Sequence, residues 1–350
     1  MMATTHVYAG AGMWRGGSKS GIFRFTVGDE SCEFMGNGLP DPVSVQAITV
    51  HPLDPNIVYV GTQDGPYVSH DRGQHWEKPN FPDKGMQIWS ILVHPAAPRT
   101  VLAGASPVAV YRSDDGGERW RLLSRPAIQD RAKMDFACRV MRLAIDPAKP
   151  DDIFAGLEVN GVMRSRDGGA SWTDCSQNLI AFAKEQRYQS KIGSDTQSEG
   201  MLDGHAVCVS TADPGAVFFA NRMGLFRSGD GGDHWEDVGV KKYSELTYAR
   251  DIRPAPQDPR TLYACLSVHS TGPTGSLARS RNLGKSWERI DHGPHPAGTF
   301  MNLALNARDP EQVWGVTRPG QVIGTVDGGK NWREYHLPPG CGDCYAVACG

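Results

Sequence analysis

The sequence predicts an all-β fold, a seven-bladed β-propeller of four-stranded blades forming one domain over residues 1–350. Three observations predict it. The octet Ser-x-Asp-x-Gly-x-x-Trp stands whole at Ser69/Asp71/Gly73/Trp76, Ser113/Asp115/Gly117/Trp120, Ser165/Asp167/Gly169/Trp172 and Ser228/Asp230/Gly232/Trp235. Looser copies follow at Ser280/Asn282/Gly284/Trp287 and Thr325/Asp327/Gly329/Trp332. A repeat of roughly 45–60 residues marks a propeller or an array of small sheets. Each repeat carries short strand-like runs separated by turn residues, the pattern of an all-β chain. The third observation is that the two chain ends hold incomplete sets of runs that complete each other.

Four runs, a to d from the axis outwards, make up each repeat. The a run is apolar and ends in a proline-rich turn, as in Ala47-Ile48-Thr49-Val50-His51-Pro52. The b run mixes aromatic or aliphatic with small residues, as in Val58-Tyr59-Val60-Gly61, and a Gly-apolar-Arg c run such as Gly161-Val162-Met163-Arg164 leads into each octet. The N-terminus starts at b (His6 to Gly10), with c and d at Gly21 to Phe25 and Cys32 to Gly36. The C-terminus ends on Tyr345 to Cys349, which reads as the missing a run. One blade therefore holds both ends, and pairing them leaves no open sheet edge.

Within the octet, Ser and Asp side chains satisfy backbone N–H groups of a tight turn, and Gly supplies the positive φ. Trp buries a large ring against its surroundings. The octet resembles the Asp-box (BNR) motif of sialidases, sortilin-type receptors, some glycoside hydrolases and photosystem assembly factors. That resemblance implies architecture, with each box a staple and not a site. The sialidase pattern further implies an arginine triad, an early Arg-Ile-Pro, a Tyr–Glu nucleophile pair and an acid Asp. Here the early segment is Gly21-Ile22-Phe23-Arg24-Phe25, without Arg-Ile-Pro, and no Tyr–Glu pair is identified.

Composition narrows the classes. The formal net charge is −3, which gives no electrostatic reason for a nucleic-acid or membrane partner. The start has no basic-then-apolar leader pattern and no run reaches spanning length, so the expected location is the cytoplasm. Of eight cysteines, Cys341 and Cys344 form a lone CxxC, which lacks the second ligand pair of a zinc site. A closing-strand role or a disulfide is expected there.

Two long d-to-a connections, about 125–139 and 178–204, lie on the face opposite the octets, together with the b–c loops. The second carries a helix-like stretch. Loops of this length in a compact domain are usually functional, so this top face is the expected site. Aligning the a runs gives a mouth column of Gln46, Trp89, Met141, His205, Tyr248, Met301 and Tyr345, with Arg250 in the apolar column of Ile48 and Arg142 among small residues. Period-two alternation puts Asp203 and His205 on one strand face, an arrangement suited to acid–base work or metal ligation. The candidate catalytic residues are His205, Asp203, Glu158 and Tyr248. The candidate substrate-binding residues are Trp14, Arg15, Trp89, Arg139, Arg142, Arg222, Arg250 and Arg318.

The expected function is a hydrolase or lyase acting on a small anionic or polyhydroxylated compound at the top of the channel. A non-catalytic scaffold holding a protein partner on the same face is the alternative. No cofactor is required by the sequence; a divalent metal would need His269, His292 or His295 to reach His205.

Overall fold

The structure, a computed structural model, describes residues 4–13, 19–29, 31–128, 131 and 134–350. Trp14 and Arg15 lie outside the described residues. Seven antiparallel sheets surround one axis. Their inner strands are Cys344–Cys349, Val45–Val50, Gln87–Val93, Val140–Asp146, Gly204–Val209, Tyr248–Pro254 and Phe300–Leu305, for blades one to seven. Each inner strand touches the next around the ring, and the last, Phe300–Leu305, touches Cys344–Cys349 to close it. Six sheets have four strands; in blade two the fourth is reduced to the pairing of Val68 with Glu77.

Blade one is built from both chain ends, in the order Cys344–Cys349, His6–Ala11, Gly21–Thr26, Cys32–Phe34. Val347 pairs with Ala9, and Gly350 exchanges backbone hydrogen bonds with His6. All eight cysteines are free thiols. Cys344 opens the closing strand and is fully buried, where burial pushes its thiol up. The closing-strand expectation therefore holds and the disulfide alternative does not.

The blades pack through seven apolar clusters, each shared by two neighbours; one joins Tyr59 of blade two to Ile88, Ile91 and Tyr111 of blade three. Small residues in the b strands make this contact possible. A Cβ on Gly61 would stand 2.4 Å from the Ile88 carbonyl of the next blade. The octets repeat one hydrogen-bond net. Ser165 Oγ donates to Asp167 Oδ1 (2.7 Å) and accepts from Gly169 N (2.8 Å), while Asp167 Oδ1 accepts from Ser171 N (2.8 Å). Gly169 sits at φ +92°, so the turn needs glycine there. Trp76, Trp172 and Trp235 carry the staple across blades, donating Nε1–H to Met35, Ser124 and Cys175 carbonyls. Trp76 is 1 % exposed, but Trp172 and Trp332 are only half-buried, at the seams of blades three with four and six with seven.

The connection of about 178–204 folds into a helix Gln177–Phe182, a 3-10 turn Gln186–Tyr188 and a short helix Glu199–Leu202. Among the described residues no helix is long and apolar enough to cross a membrane.

Two outcomes follow. Trp76→Ala should lower unfolding free energy by about 3–5 kcal/mol in chemical denaturation, and Trp172→Ala by clearly less, because its ring is already partly exposed; equal losses would contradict the burial difference. Removing Cys344–Gly350 deletes the inner strand of blade one, and aggregation during size-exclusion chromatography is the expected result.

Candidate functional site

A single irregularity builds the mouth of the channel. Every inner strand carries one residue with no partner on its b strand, because the register slips there. The bulged residues are Tyr345, Gln46, Trp89, Met141, His205, Arg250 and Met301, and all seven line a narrow chamber of about 30 Å³ in the channel. A bulge kinks the strand and re-aims its side chains. The sequence alignment identified six of these; in blade six the register puts Arg250 in this ring, where Tyr248 was expected. Tyr248 instead pairs with Ser267 at the strand's start, and Asp251 takes the column of Arg142 and Asn302.

Asp251 explains the cations below the mouth. It is fully buried and its Oδ2 accepts from Arg142 Nη2 (3.1 Å), Arg253 Nε (3.0 Å), Asn302 Nδ2 (2.8 Å) and Leu303 N (3.1 Å). The ion pair at this level thus involves Arg142 and not Arg250. Burial, together with repulsion from Arg253 and Arg250 and despite Asp251, pulls the Arg142 guanidinium down to about 10.

Above the chamber opens a cavity of about 350 Å³ on the top face. It gathers Trp89, Arg139, Glu158, Asp203, His205, Arg222, Tyr248, Arg250 and Arg318 into one site. Arg142 lines only the chamber beneath. Phe136, Met141, Val159, Ile192, Ser270 and Tyr345 complete the walls; Phe136 and Ile192 come from the two long connections, and nothing but their loop position announced them in the sequence. Asp343, the partner of Arg318, stands two residues before the bulged Tyr345, as Asp203 stands before His205.

Arginines and carboxylates alternate around the cavity. Arg139 Nη1 lies 2.9 Å from Glu158 Oε2, with its guanidinium over the Trp89 ring at 4.4 Å and the Phe136 ring at 4.9 Å. Arg222 Nε donates to Asp203 Oδ2 at 3.0 Å, and Arg318 Nη1 to Asp343 Oδ2 at 2.6 Å. Arg250 has no such carboxylate within ion-pair distance among the described residues; its Nη1 reaches only the Tyr248 hydroxyl, at 3.5 Å.

The two cavity carboxyls are driven apart. Desolvation pushes Glu158 up to about 7, against the pull of Arg139 and helped by the Asp203 charge. Burial acts the same way on Asp203, but His205, Arg222 and Arg250 outweigh it and hold that carboxyl at about 2. Glu158 also opens a strained turn. Val159 has φ +57°, and the other non-glycine residues at positive φ among the described residues, Arg72 and Leu283, sit inside octet turns. A β-branched side chain in the left-handed region costs about 1–3 kcal/mol and clusters at functional sites.

The imidazole of His205 is held by Ala249, whose carbonyl lies 2.7 Å from Nδ1, so Nδ1 carries the proton. Burial and Arg250 lower the pKa of His205, which keeps the ring neutral. Its Nε2 then accepts from the Tyr248 hydroxyl (3.3 Å) and stands 3.4 Å from Asp203 Oδ2. His269, His292 and His295 are exposed and off the cavity lining. No cluster of three or more His, Cys, Asp or Glu that could hold a metal occurs among the described residues.

Fold and octets together define a seven-bladed propeller whose c–d turns carry Asp-box-like octets and whose channel mouth holds a charged cavity. The Sortilin-Vps10 family model (sortilin, neurotensin receptor 3) matches residues 64–201. A probable oligoxyloglucan-reducing end-specific xyloglucanase of Neosartorya fischeri is 25% identical over 240 residues, which are 57% of this chain and 28% of that protein. The chain thus spans little more than a quarter of that relative. The GH74 xyloglucanase structure from Xanthomonas campestris superposes with a TM-score of 0.61 at 20% identity, covering 85% of this chain and 45% of the other. YCF48 bound to D1 peptide superposes with a TM-score of 0.52 at 15% identity, covering 85% and 83%.

Replacing Asp251 by Ala would strand the Arg142 and Arg253 charges in the ring's interior. An expected loss of about 3–5 kcal/mol, read from the denaturant midpoint, checks this; an unchanged midpoint would show that the hub is not structural.

Proposed function

We propose that this protein is a glycoside hydrolase whose substrate, anionic or polyhydroxylated, binds in the cavity at the channel mouth. One observation carries the reading: two carboxyls share one cavity, with Glu158 kept protonated near neutral pH because burial outweighs Arg139, and Asp203 kept ionised because His205, Arg222 and Arg250 outweigh the same burial. Such a split is how an enzyme obtains an acid and a base from the same chemical group. Glu158 would deliver its proton to the leaving oxygen of the glycosidic bond. Asp203, clamped by Arg222, would serve the opposite side as base or nucleophile. Neutral His205 and Tyr248 hold the floor beneath them, and Trp89 and Phe136 give apolar faces for a sugar ring. The sequence similarity to a xyloglucanase agrees with this class without naming the substrate.

Two other chemistries use the same groups. Elimination would employ Tyr248, backed by His205, as the base. A non-catalytic scaffold is favoured by the arginine–aromatic rim and by the fold shared with YCF48 bound to D1 peptide. A panel of oligosaccharides and aryl glycosides, scored for new reducing ends and for alkene absorbance, separates the three. Reducing ends without absorbance are expected.

On a substrate so found, Glu158→Gln should lower kcat/KM by about 10²–10⁴-fold with an unchanged melting temperature. The raised Glu158 carboxyl is the active form when protonated, so kcat/KM should fall as pH rises through about 7. Asp203 stays ionised down to about pH 2 and adds no acid limb above that. A wild-type profile flat through pH 7 would remove Glu158 from the acid role.

A further inference from the structure

We propose that Arg250 recognises a carboxylate on the sugar, so that the cavity takes a uronic acid residue in preference to its neutral counterpart. This rests on the glycoside reading for the word sugar, but the anion site stands on its own observations. Arg250 is 91 % buried, being 9 % exposed, and lies on the wall of the 350 Å³ cavity as well as the chamber beneath it. Of the five N–H donors of a guanidinium, one reaches the Tyr248 oxygen at a long 3.5 Å. Nε is buried without a partner, and no further acceptor is met among the described residues. The neighbouring guanidinium groups differ in this respect: Arg139, Arg222 and Arg318 each contact a carboxylate, and Arg142 contacts Asp251.

A buried guanidinium with no carboxylate in contact is costly, and proteins keep such charges where a partner arrives. The position of Arg250 is also built, not incidental. It is the bulged residue of its strand, and the bulge turns it into the mouth. The hydroxyl of Tyr248 gives its proton to His205 Nε2, so its oxygen faces Arg250 as an acceptor and steers the planar fork. A planar fork with free parallel N–H groups matches a carboxylate in two-point contact. The cavity volume lies inside the range of small-molecule sites, about 300–1,000 Å³, and Trp89 and Phe136 flank the same space.

Binding is measured by calorimetry on the Glu158→Gln protein, so that turnover does not enter. D-glucuronate, its neutral amide D-glucuronamide and D-glucose are the probes, in gluconate-free buffer of fixed ionic strength. Glucuronate is expected to bind about 10- to 100-fold more tightly than the amide or glucose, the size of a charged hydrogen-bonded contact. Equal affinity of acid and amide overturns the proposal without any Arg250 variant. In Arg250→Gln, the preference for the acid is expected to vanish, while the ligand-free melting temperature stays level or rises because an unpaired buried charge is gone. A lower melting temperature with the acid preference intact would make Arg250 a structural cation and sink the idea. Chloride that displaces glucuronate at equal concentration would show a site for inorganic anions only, which also overturns it. Glucuronate binding that depends on Arg250, with no glycoside cleaved by the wild type, would refute the hydrolase reading and leave this one standing.

Discussion

The bulge in each inner strand is the constraint from which the rest of the molecule follows. Seven strands converge on one axis, and a regular ladder would alternate their side chains between the two neighbouring blades. The extra residue breaks that alternation at one level and delivers Gln46, Trp89, Met141, His205, Arg250, Met301 and Tyr345 to the channel. Just past the bulge, the next residue joins blades. Ser90 Oγ accepts from Leu143 N, Asp251 Oδ2 from Leu303 N, and Asn302 Oδ1 from Val347 N, each on the inner strand of the following blade. One level of the ring presents chemistry and the adjoining level supplies cohesion.

These two levels treat charge differently. In the cohesive level, the Asp251 carboxylate is fully buried and surrounded by donors, so its two arginines and two further N–H groups are matched at a single oxygen. The cost of desolvating an ion is met there by geometry. At the mouth, the matching stops short. Three arginines contact carboxylates and Arg250 does not, while Glu158 is driven towards its neutral form. An imperfect electrostatic match inside a stable ring is the expected mark of a site, because perfect pairing would leave nothing for a ligand to do.

The architecture was readable because it rests on local chemistry repeated along the chain. Ser, Asp, Gly and Trp at fixed offsets fold one turn by themselves, and the a, b, c, d count needs no knowledge of packing. Tyr345 to Cys349 beside His6 to Gly10 followed from that count alone. Blade six failed for a physical reason. Tyr248-Ala249-Arg250-Asp251-Ile252 was aligned by apolarity, which disfavours a carboxylate in the ring interior, yet Asp251 is there because Arg142 and Arg253 arrive from elsewhere to hold it. Pairings between residues 109 positions apart leave no trace in a local pattern. The same holds for the half-buried Trp172, whose motif is identical to that of Trp76 but whose neighbours are not. Trp14 and Arg15 fall outside the described residues, so their proposed part in the wall stays with the sequence reading.

The long connection of about 178–204 shows how a site on loops acquires the stiffness of one on strands. Glu199 has no exposed surface, and its carboxylate accepts from the backbone N–H groups of Ile192, Gly193 and Ser194. Burial alone would raise the Glu199 carboxyl, but the Ser194 hydroxyl, which also donates to it, and those backbone hydrogen bonds hold it below its ordinary range. The clamp fixes the segment that carries Ile192 into the cavity wall. Further along, Tyr188 donates its hydroxyl to Asp237 at 2.6 Å and packs on Phe182 and Phe226, tying the same connection to the body of blade five. In the neighbouring connection of about 125–139, Cys138 Sγ and the Arg139 carbonyl both bond the backbone of Glu158. Both insertions are therefore anchored by buried polar contacts before they reach the cavity. A wall held in this way can keep Glu158 and Asp203 in fixed and unequal environments, which a loosely tethered lid could not, since the pKa split depends on burial winning over Arg139 at Glu158 and losing to His205, Arg222 and Arg250 at Asp203.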